Sequence, residues 1–134
     1  VKAPLTLPWP PSVNSYWRSL PPTKPGMPPR VVISKEGREF RKAVAELAVS
    51  QSWPKFGAQR VRVHIGVAAP DCRARDLDNL LKAPLDALTH AGLWDDDEQI
   101  DALAIKRCAV EKGGRMSIWI VPIEPVQQSL EGAS

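Results

Sequence analysis

Eight of the 14 prolines in this 134-residue chain fall between Pro8 and Pro29. Proline fixes φ and lacks the N–H that a helix interior or a central strand needs. Residues 8–30 are therefore read as a long extended arm that excludes a helix or central strand, with Trp9, Asn14, Tyr16, Trp17 and Arg18 set along it. Long ordered loops in small domains often carry function; the plainer alternative is a stiffened arm that covers a sheet. Either way, the core has to come from the rest of the chain.

Hydrophobic periodicity supplies that core. Leu5-Thr6-Leu7 predicts a short strand stopped by Pro8, and Val31-Val32-Ile33 a second. Ser34 is an N-cap for a helix over 35–52, with Phe40, Val44, Leu47 and Ala48 inward, Arg38, Arg41 and Lys42 outward, and Pro54 as the stop. Val61, Val63, Ile65 and Val67 alternate with Arg60, Arg62 and His64, which predicts a half-buried strand over 60–69 ended by Pro70-Asp71. A second helix is expected over 79–91, with Asp78 as N-cap, a Leu81, Leu85, Leu88 stripe and Gly92 as C-terminal cap. Pro84 inside it removes the hydrogen bond to Leu80, so a kink or a loosened first turn is expected. Residues 103–110 and 115–121 are read as the strands of a hairpin, turned at Lys112-Gly113-Gly114. The polar stretch from Pro122 is read as a loosely held tail.

The expected fold is α/β in the α+β sense, a mixed β-sheet with two main helices packed on it, in the order β-β-α-β-α-β-β. It is read as a single domain over 1–134, with the arm at 8–30 and the tail at 123–134. At 43% hydrophobic residues the chain has enough for an ordinary core. No apolar run is long enough to span a membrane and no signal segment opens the chain, so a cytoplasmic protein with no membrane partner is expected. Cys72 and Cys108 form neither a Cys-x-x-Cys pair nor a disulfide framework and are read as reduced, with Cys108 structural; zinc has little support.

The net charge is only +3, but its distribution is uneven. Acids gather between Asp71 and Asp101, and bases flank them, from Arg60 and Arg62 through Arg73 and Arg75 to Lys106, Arg107, Lys112 and Arg115. That pattern fits either a normal mixed surface or a metal site beside a nucleic-acid track.

The chemistry concentrates in the R-D-L-D-N-L-L-K stretch, Arg75–Lys82, and in the acidic run Asp95-Asp96-Asp97-Glu98. If residues 76–78 are extended, Asp76 and Asp78 emerge on one side and Leu77 turns inward. Capping plus solvation explains such a pair; so does half of a site for a hard cation such as Mg²⁺, which takes oxygen ligands and substrate phosphates. Asn79, Lys82 and Asp86 share one helix face, where Lys82 either pairs with Asp86 or stabilises charge on a phosphate. The four acids of 95–98 either form a solvated loop or bind a cation, and periodicity leaves open which of them faces Asp76. Together these pieces suggest metal-assisted phosphodiester hydrolysis.

The stretch D-L-D-N-L-L-K-A-P-L-D-A-L-T-H-A-G-L-W-D-D-D-E-Q-I, Asp76–Ile100, closely resembles the central motif of the RusA family of Holliday-junction resolvases. L-P-W-P-P-S-V-N resembles that family's N-terminal segment and K-G-G-R its last hairpin, so the likeness spans roughly residues 5–121. The resemblance implies a homodimeric, Mg²⁺-dependent endonuclease of phage or prophage origin that cuts four-way DNA junctions by paired symmetric nicks, in recombination and repair. It implies Asp76, Asp78 and Asp97 as catalytic carboxylates, with Asp96 beside them, holding one or two Mg²⁺ ions per site, and Lys82 as the catalytic lysine. Arg73, Arg75, Arg60, Arg62 and Lys112 are expected at the DNA backbone, and Asn14, Trp17 and Arg18 of the arm at the junction or partner chain. Cys72 and Ala74 thin the family's basic cluster here, and Pro84 lies within the motif helix. The rival classes are a junction-binding protein that does not cut and a small-nucleotide phosphohydrolase; the latter has no glycine-rich phosphate loop to support it.

Overall fold

A computed structural model describes residues 4–124. Four strands form the main sheet in the order β1-β6-β4-β5, from β1 (Leu5–Leu7), β4 (Val61–Ala68), β5 (Ile100–Arg107) and β6 (Arg115–Pro122). β6 runs antiparallel to both β1 and β4, while β5 lies parallel to β4, so the sheet is mixed as expected. Two helices, α2 (Lys35–Ser50) and α3 (Lys82–His90), cover one face. There Val61, Val63, Ile65 and Val67 meet Met116, Ile118 and Ile120 from the sheet and Phe40, Val44, Ala87 and Leu88 from the helices, all buried. Each large aliphatic side chain buried this way contributes about 1.5–3 kcal/mol.

The expected hairpin of 103–110 with 115–121 does not form. Both strands pair with β4, one on each side, and not with each other. β4 and β5 are joined through α3, and a helical crossover makes them parallel. The following loop then crosses the end of β4, held by Cys108 N–H donating to Val67 O and Glu111 N–H to Ala69 O. The glycine turn is present, but it delivers β6 to the far side of β4. β6 itself runs through Pro122, where the tail was expected to begin; residues 125–134 lie outside the described residues.

The arm is more structured than its prolines predict. It contains one helical turn, α1 (Val13–Tyr16), and then β2 (Trp17–Leu20), which pairs antiparallel with β3 (Arg30–Ile33). The reason is placement: no proline lies between Pro11 and Pro21, and that interval has room for one turn and a short edge ribbon.

Ser34 caps α2 as predicted, its hydroxyl accepting from Gly37 N–H at 2.9 Å. Arg41, read as outward, turns inward instead: its guanidinium reaches Asp86 at 2.8 Å and Tyr16 at 3.1 Å. Asp86 is therefore not paired with Lys82. The α-helix of the second segment begins later than expected, at Lys82, and is preceded by a 3₁₀ turn (Leu77–Leu80). Pro84 falls in the first turn of α3, where its N–H would have no intrahelical partner, so the loosened start accommodates it without a kink inside the helix. The buried stripe rotates accordingly to Leu80, Ala83, Pro84, Ala87 and Leu88. Gly92, at φ +85°, ends the helix with Leu93 N–H on Leu88 O and Gly92 N–H on Thr89 O.

Candidate active site

Asp76 and Asp78 are placed by the loop that leaves β4. Asp71 organises it, accepting from Arg73 N–H at 2.9 Å and pairing with Arg75 at 2.9 Å. The Arg75 hydrogen bond, with that backbone N–H, holds the Asp71 carboxyl below the usual carboxylate value. Arg75 also lies over the Trp9 ring, 5.5 Å from its centroid, and its own carbonyl accepts from Arg107 at the end of β5. Asp76 follows in an extended conformation and opens the 3₁₀ turn, whose Leu77 and Leu80 pack into the core.

Both carboxylates are exposed, as alternation predicted, although only Asp76 is extended. Asp78 does not cap α3; it lies inside the 3₁₀ turn, and neither aspartate makes a side-chain cap bond. Among the described residues the side chains of Asp76, Asp78 and Lys82 have no ion pair or hydrogen bond. Capping therefore does not explain the acid pair.

The second group of acids is shaped by Gln99, which is 5% exposed. Its amide donates to Gly57 O at 2.8 Å and Gln59 O at 2.7 Å, and its oxygen accepts from Asp96 N–H at 2.9 Å and Asp95 N–H at 3.1 Å. Asp96 closes the box by capping the 3₁₀ turn Asp97–Gln99, accepting from Glu98 N–H at 3.0 Å. Glu98 pairs with Arg60 at 3.5 Å, and Asp101 with the same arginine at 2.5 Å. The carboxylates of Asp95 and Asp97 are left exposed without a protein partner among the described residues. Trp94, buried at 1% exposure, anchors the run through Nε1–H to Thr89 Oγ1 at 2.7 Å.

The two acid groups do not meet within one chain. Asp97 precedes Ile100, which registers with Val61; the Arg75 carbonyl is tied to Arg107, which registers with Val67. Those rows are roughly 20 Å apart along the strands. α3 lies between the two groups in sequence, and its nine residues measure about 13 Å. Among the described residues no three His, Cys, Asp or Glu side chains converge as metal ligands.

The basic residues fall into separate groups. Arg73 is 79% exposed, with only a 3.5 Å contact to Asp71. Lys112, Asn14 and Arg18 are also exposed. Arg75 and Arg60 are held by acids, and Arg62 lies on the sheet face opposite the helices, beside His64, Trp119 and Val121. Trp17 is half-buried and edge-on to Tyr16. Sequence reasoning missed Asp71, Gln99, Trp9 and Arg107. Only the i,i+4 spacing of Asp71 and Arg75 signals any of them in advance; the others act through contacts distant in sequence.

Residues 8–121 match the family model described as endodeoxyribonuclease RusA. The chain belongs to the RusA family. It is 40% identical over 120 residues to the crossover junction endodeoxyribonuclease rusA of Enterobacteria phage HK97, covering 90% of this chain and 94% of that relative. It is 42% identical over 116 residues to the protein of the same name from Enterobacteria phage 82, and 41% identical over 116 residues to that of Escherichia coli strain K12, each covering 87% of this chain and 91% of the relative. The RusA match takes in the arm, the Asp76–Lys82 stretch, the acidic run and both glycines of the final turn. No described helix is long and apolar enough to cross a membrane.

Proposed function

We propose that this RusA-family chain is a Mg²⁺-dependent endodeoxyribonuclease that resolves four-way DNA junctions by paired, symmetric phosphodiester cuts. One observation carries the assignment to these residues. Asp76 and Asp78 stand exposed, two apart, with no cap, ion pair or hydrogen bond to occupy them among the described residues. Exposed carboxylates free of protein partners are the donor chemistry that a hard divalent cation requires, so the residues fit the ion. Asp76, Asp78 and Asp97 would hold it. Asp96 is occupied by its cap and Glu98 by Arg60, which leaves Asp95 and Asp97 free within the run; of these, Asp97 is the one that the RusA motif matches.

When bound, such a cation would supply a lowered pKa for water and charge neutralisation for the scissile phosphate. The protein's own groups do the rest. Lys82, exposed at the start of α3, offers an ammonium to charge developing on the phosphate. Arg73 meets the flanking backbone. Because the two acid groups lie at opposite ends of α3, a homodimer that brings the Asp76 end of one chain to the Asp97 end of its partner would complete each site. The same two-fold symmetry accounts for paired cuts on a symmetric junction.

The test is a labelled four-way junction incubated with and without Mg²⁺. Wild type is expected to nick opposed strands only with the ion, leaving 5′-phosphate and 3′-hydroxyl ends; Asp78→Asn is expected to bind without cutting. Binding by wild type without nicks would instead support a junction-binding protein that does not cut.

A further inference from the structure

A cavity of about 910 Å³ opens directly beside Asp76. Asp71 and Asp76 line it, but Asp78, Lys82 and Asp97 do not, so it adjoins the acid site and is not the acid site itself. Its size lies at the top of the range for small-molecule sites, roughly 300–1,000 Å³. It exists because the residues around it are small: Ala69, Cys72, Ala74 and Cys108 all line it. Cys108, read from sequence as structural, is exposed there, as is Cys72, and both thiols are free.

The remaining lining has a definite chemistry. Trp9 and the Arg75 guanidinium together form one wall, with the cation over the ring face, 5.5 Å from its centroid. The wall is rigid. Asp71 grips Arg75 at 2.9 Å, its side chain is only 19% exposed, and Gly114 packs so closely on Trp9 that a Cβ there would lie 2.9 Å from the Trp9 Cβ. Arg73 and Arg107 add positive charge at the rim, and Asn79 supplies an amide donor and acceptor. A cation-aromatic wall, an amide and flanking arginines are the groups that hold an unpaired base and its phosphate.

We propose that this cavity takes one unstacked nucleotide of the DNA strand next to the phosphate that is cut, and that its fit there sets where along the strand cutting occurs. The proposal rests on the junction-cutting function above. The base stacks against the Arg75–Trp9 wall, Asn79 meets its edge, and Arg73 and Arg107 meet the adjoining phosphate. A branch point is a favourable place for such extrusion, since unstacking costs least where pairing is already interrupted.

The experiment places 2-aminopurine, which brightens when the neighbour stacked on it is withdrawn, at each nucleotide flanking the branch, so that the probe next to the captured nucleotide reports, and measures fluorescence at saturating protein without Mg²⁺. Cutting positions are mapped separately with Mg²⁺. Ala74→Trp fills the cavity from an exposed loop position; wild-type protein alkylated with a bulky maleimide at the two cavity thiols, Cys72 and Cys108, fills it without a substitution. Wild type is expected to brighten one flanking position several-fold, while both filled forms leave it quenched and lose about tenfold in preference among cutting positions. Equal brightening and the same cutting map in the filled forms would overturn the proposal, as would a wild type that brightens no flanking position. Wild type that brightens the junction but never cuts it sinks the proposed function and leaves the pocket standing; cutting without brightening does the reverse.

Discussion

Tyr16 and Asp86 lie 70 positions apart in sequence, yet the Tyr16 hydroxyl donates directly to the Asp86 carboxylate. Arg41 bonds to both, so the proline-rich arm, α2 and α3 are locked together at one point. Tyr16 itself is fully buried, at 0% exposure, while the Arg41 and Asp86 side chains are 25% and 24% exposed. Removing the phenol oxygen leaves Asp86 one partner short. Tyr16→Phe is expected to cost about 1–3 kcal/mol in urea unfolding. Burial, and then the Asp86 hydrogen bond, push the Tyr16 phenol above its ordinary value of 10.0. A folded-state pKa above the unfolded one stabilises fully below the unfolded value and is lost as pH rises through the folded value. The stability of wild type should therefore fall above about pH 10 relative to Tyr16→Phe, while the difference between the two stays constant around neutral pH.

Gly37, in the first turn of α2, is a glycine that alanine should not improve. On helix propensity alone Gly37→Ala would gain about 1 kcal/mol. A Cβ at this position, however, would lie 2.6 Å from the Tyr16 carbonyl oxygen and 2.7 Å from Ile33 Cγ1. The carbonyl cannot retreat, because Ser34 N–H bonds to it at 2.9 Å. The expected net effect is a loss of about 1–3 kcal/mol, read as a lower midpoint in thermal or urea unfolding. A stabilised variant would show that the arm is not seated on α2 as described.

Gln99 holds the acidic run by four hydrogen bonds, two donated and two accepted. Gln99→Leu keeps the size but leaves the carbonyls of Gly57 and Gln59 without their donor. A loss of about 2–4 kcal/mol is expected, since each buried group left unsatisfied costs about 1–3 kcal/mol. Cutting at a temperature where the variant stays folded should fall as well, because the loop carrying Asp97 loses its shape. Wild-type stability in this variant would count against the network.

Asp96 and Asp97 are adjacent in sequence but have different duties in the structure. Asp96 caps the 3₁₀ turn, and asparagine caps about as well as aspartate. Asp96→Asn should therefore keep junction cutting within about threefold of wild type. Asp97→Asn, which removes an uncommitted carboxylate, should lower it by at least about a hundredfold while junction binding persists. The reverse ranking, measured by single-turnover cleavage, would move the proposed metal ligand to Asp96.

The main elements were legible in the sequence because their signals are local. The Val61–Val67 alternation, the Ser34 cap and the Gly92 terminator each depend on residues a few positions apart, and each lies where the pattern put it. The motif Asp76–Lys82 was visible for the same reason. The structured arm was missed because the count of prolines outweighed their positions, which leave residues 12–20 free.

What the sequence could not decide are relations between distant segments. Periodicity gives a strand its inward face but not its neighbour, so β5 and β6 read as a hairpin although β4 lies between them. Charge spacing likewise marks Arg41 and Asp86 as surface residues; only the crossing of α2, α3 and the arm turns them onto Tyr16. The acids follow the same division. Their number and order were written in the chain, but which are engaged and which are free depends on Gln99, Arg60 and the 3₁₀ turns. The parallel β4–β5 connection then sets Asp76 and Asp97 at opposite ends of one helix, because a crossover must return the chain along the strand's full length before the next strand can begin.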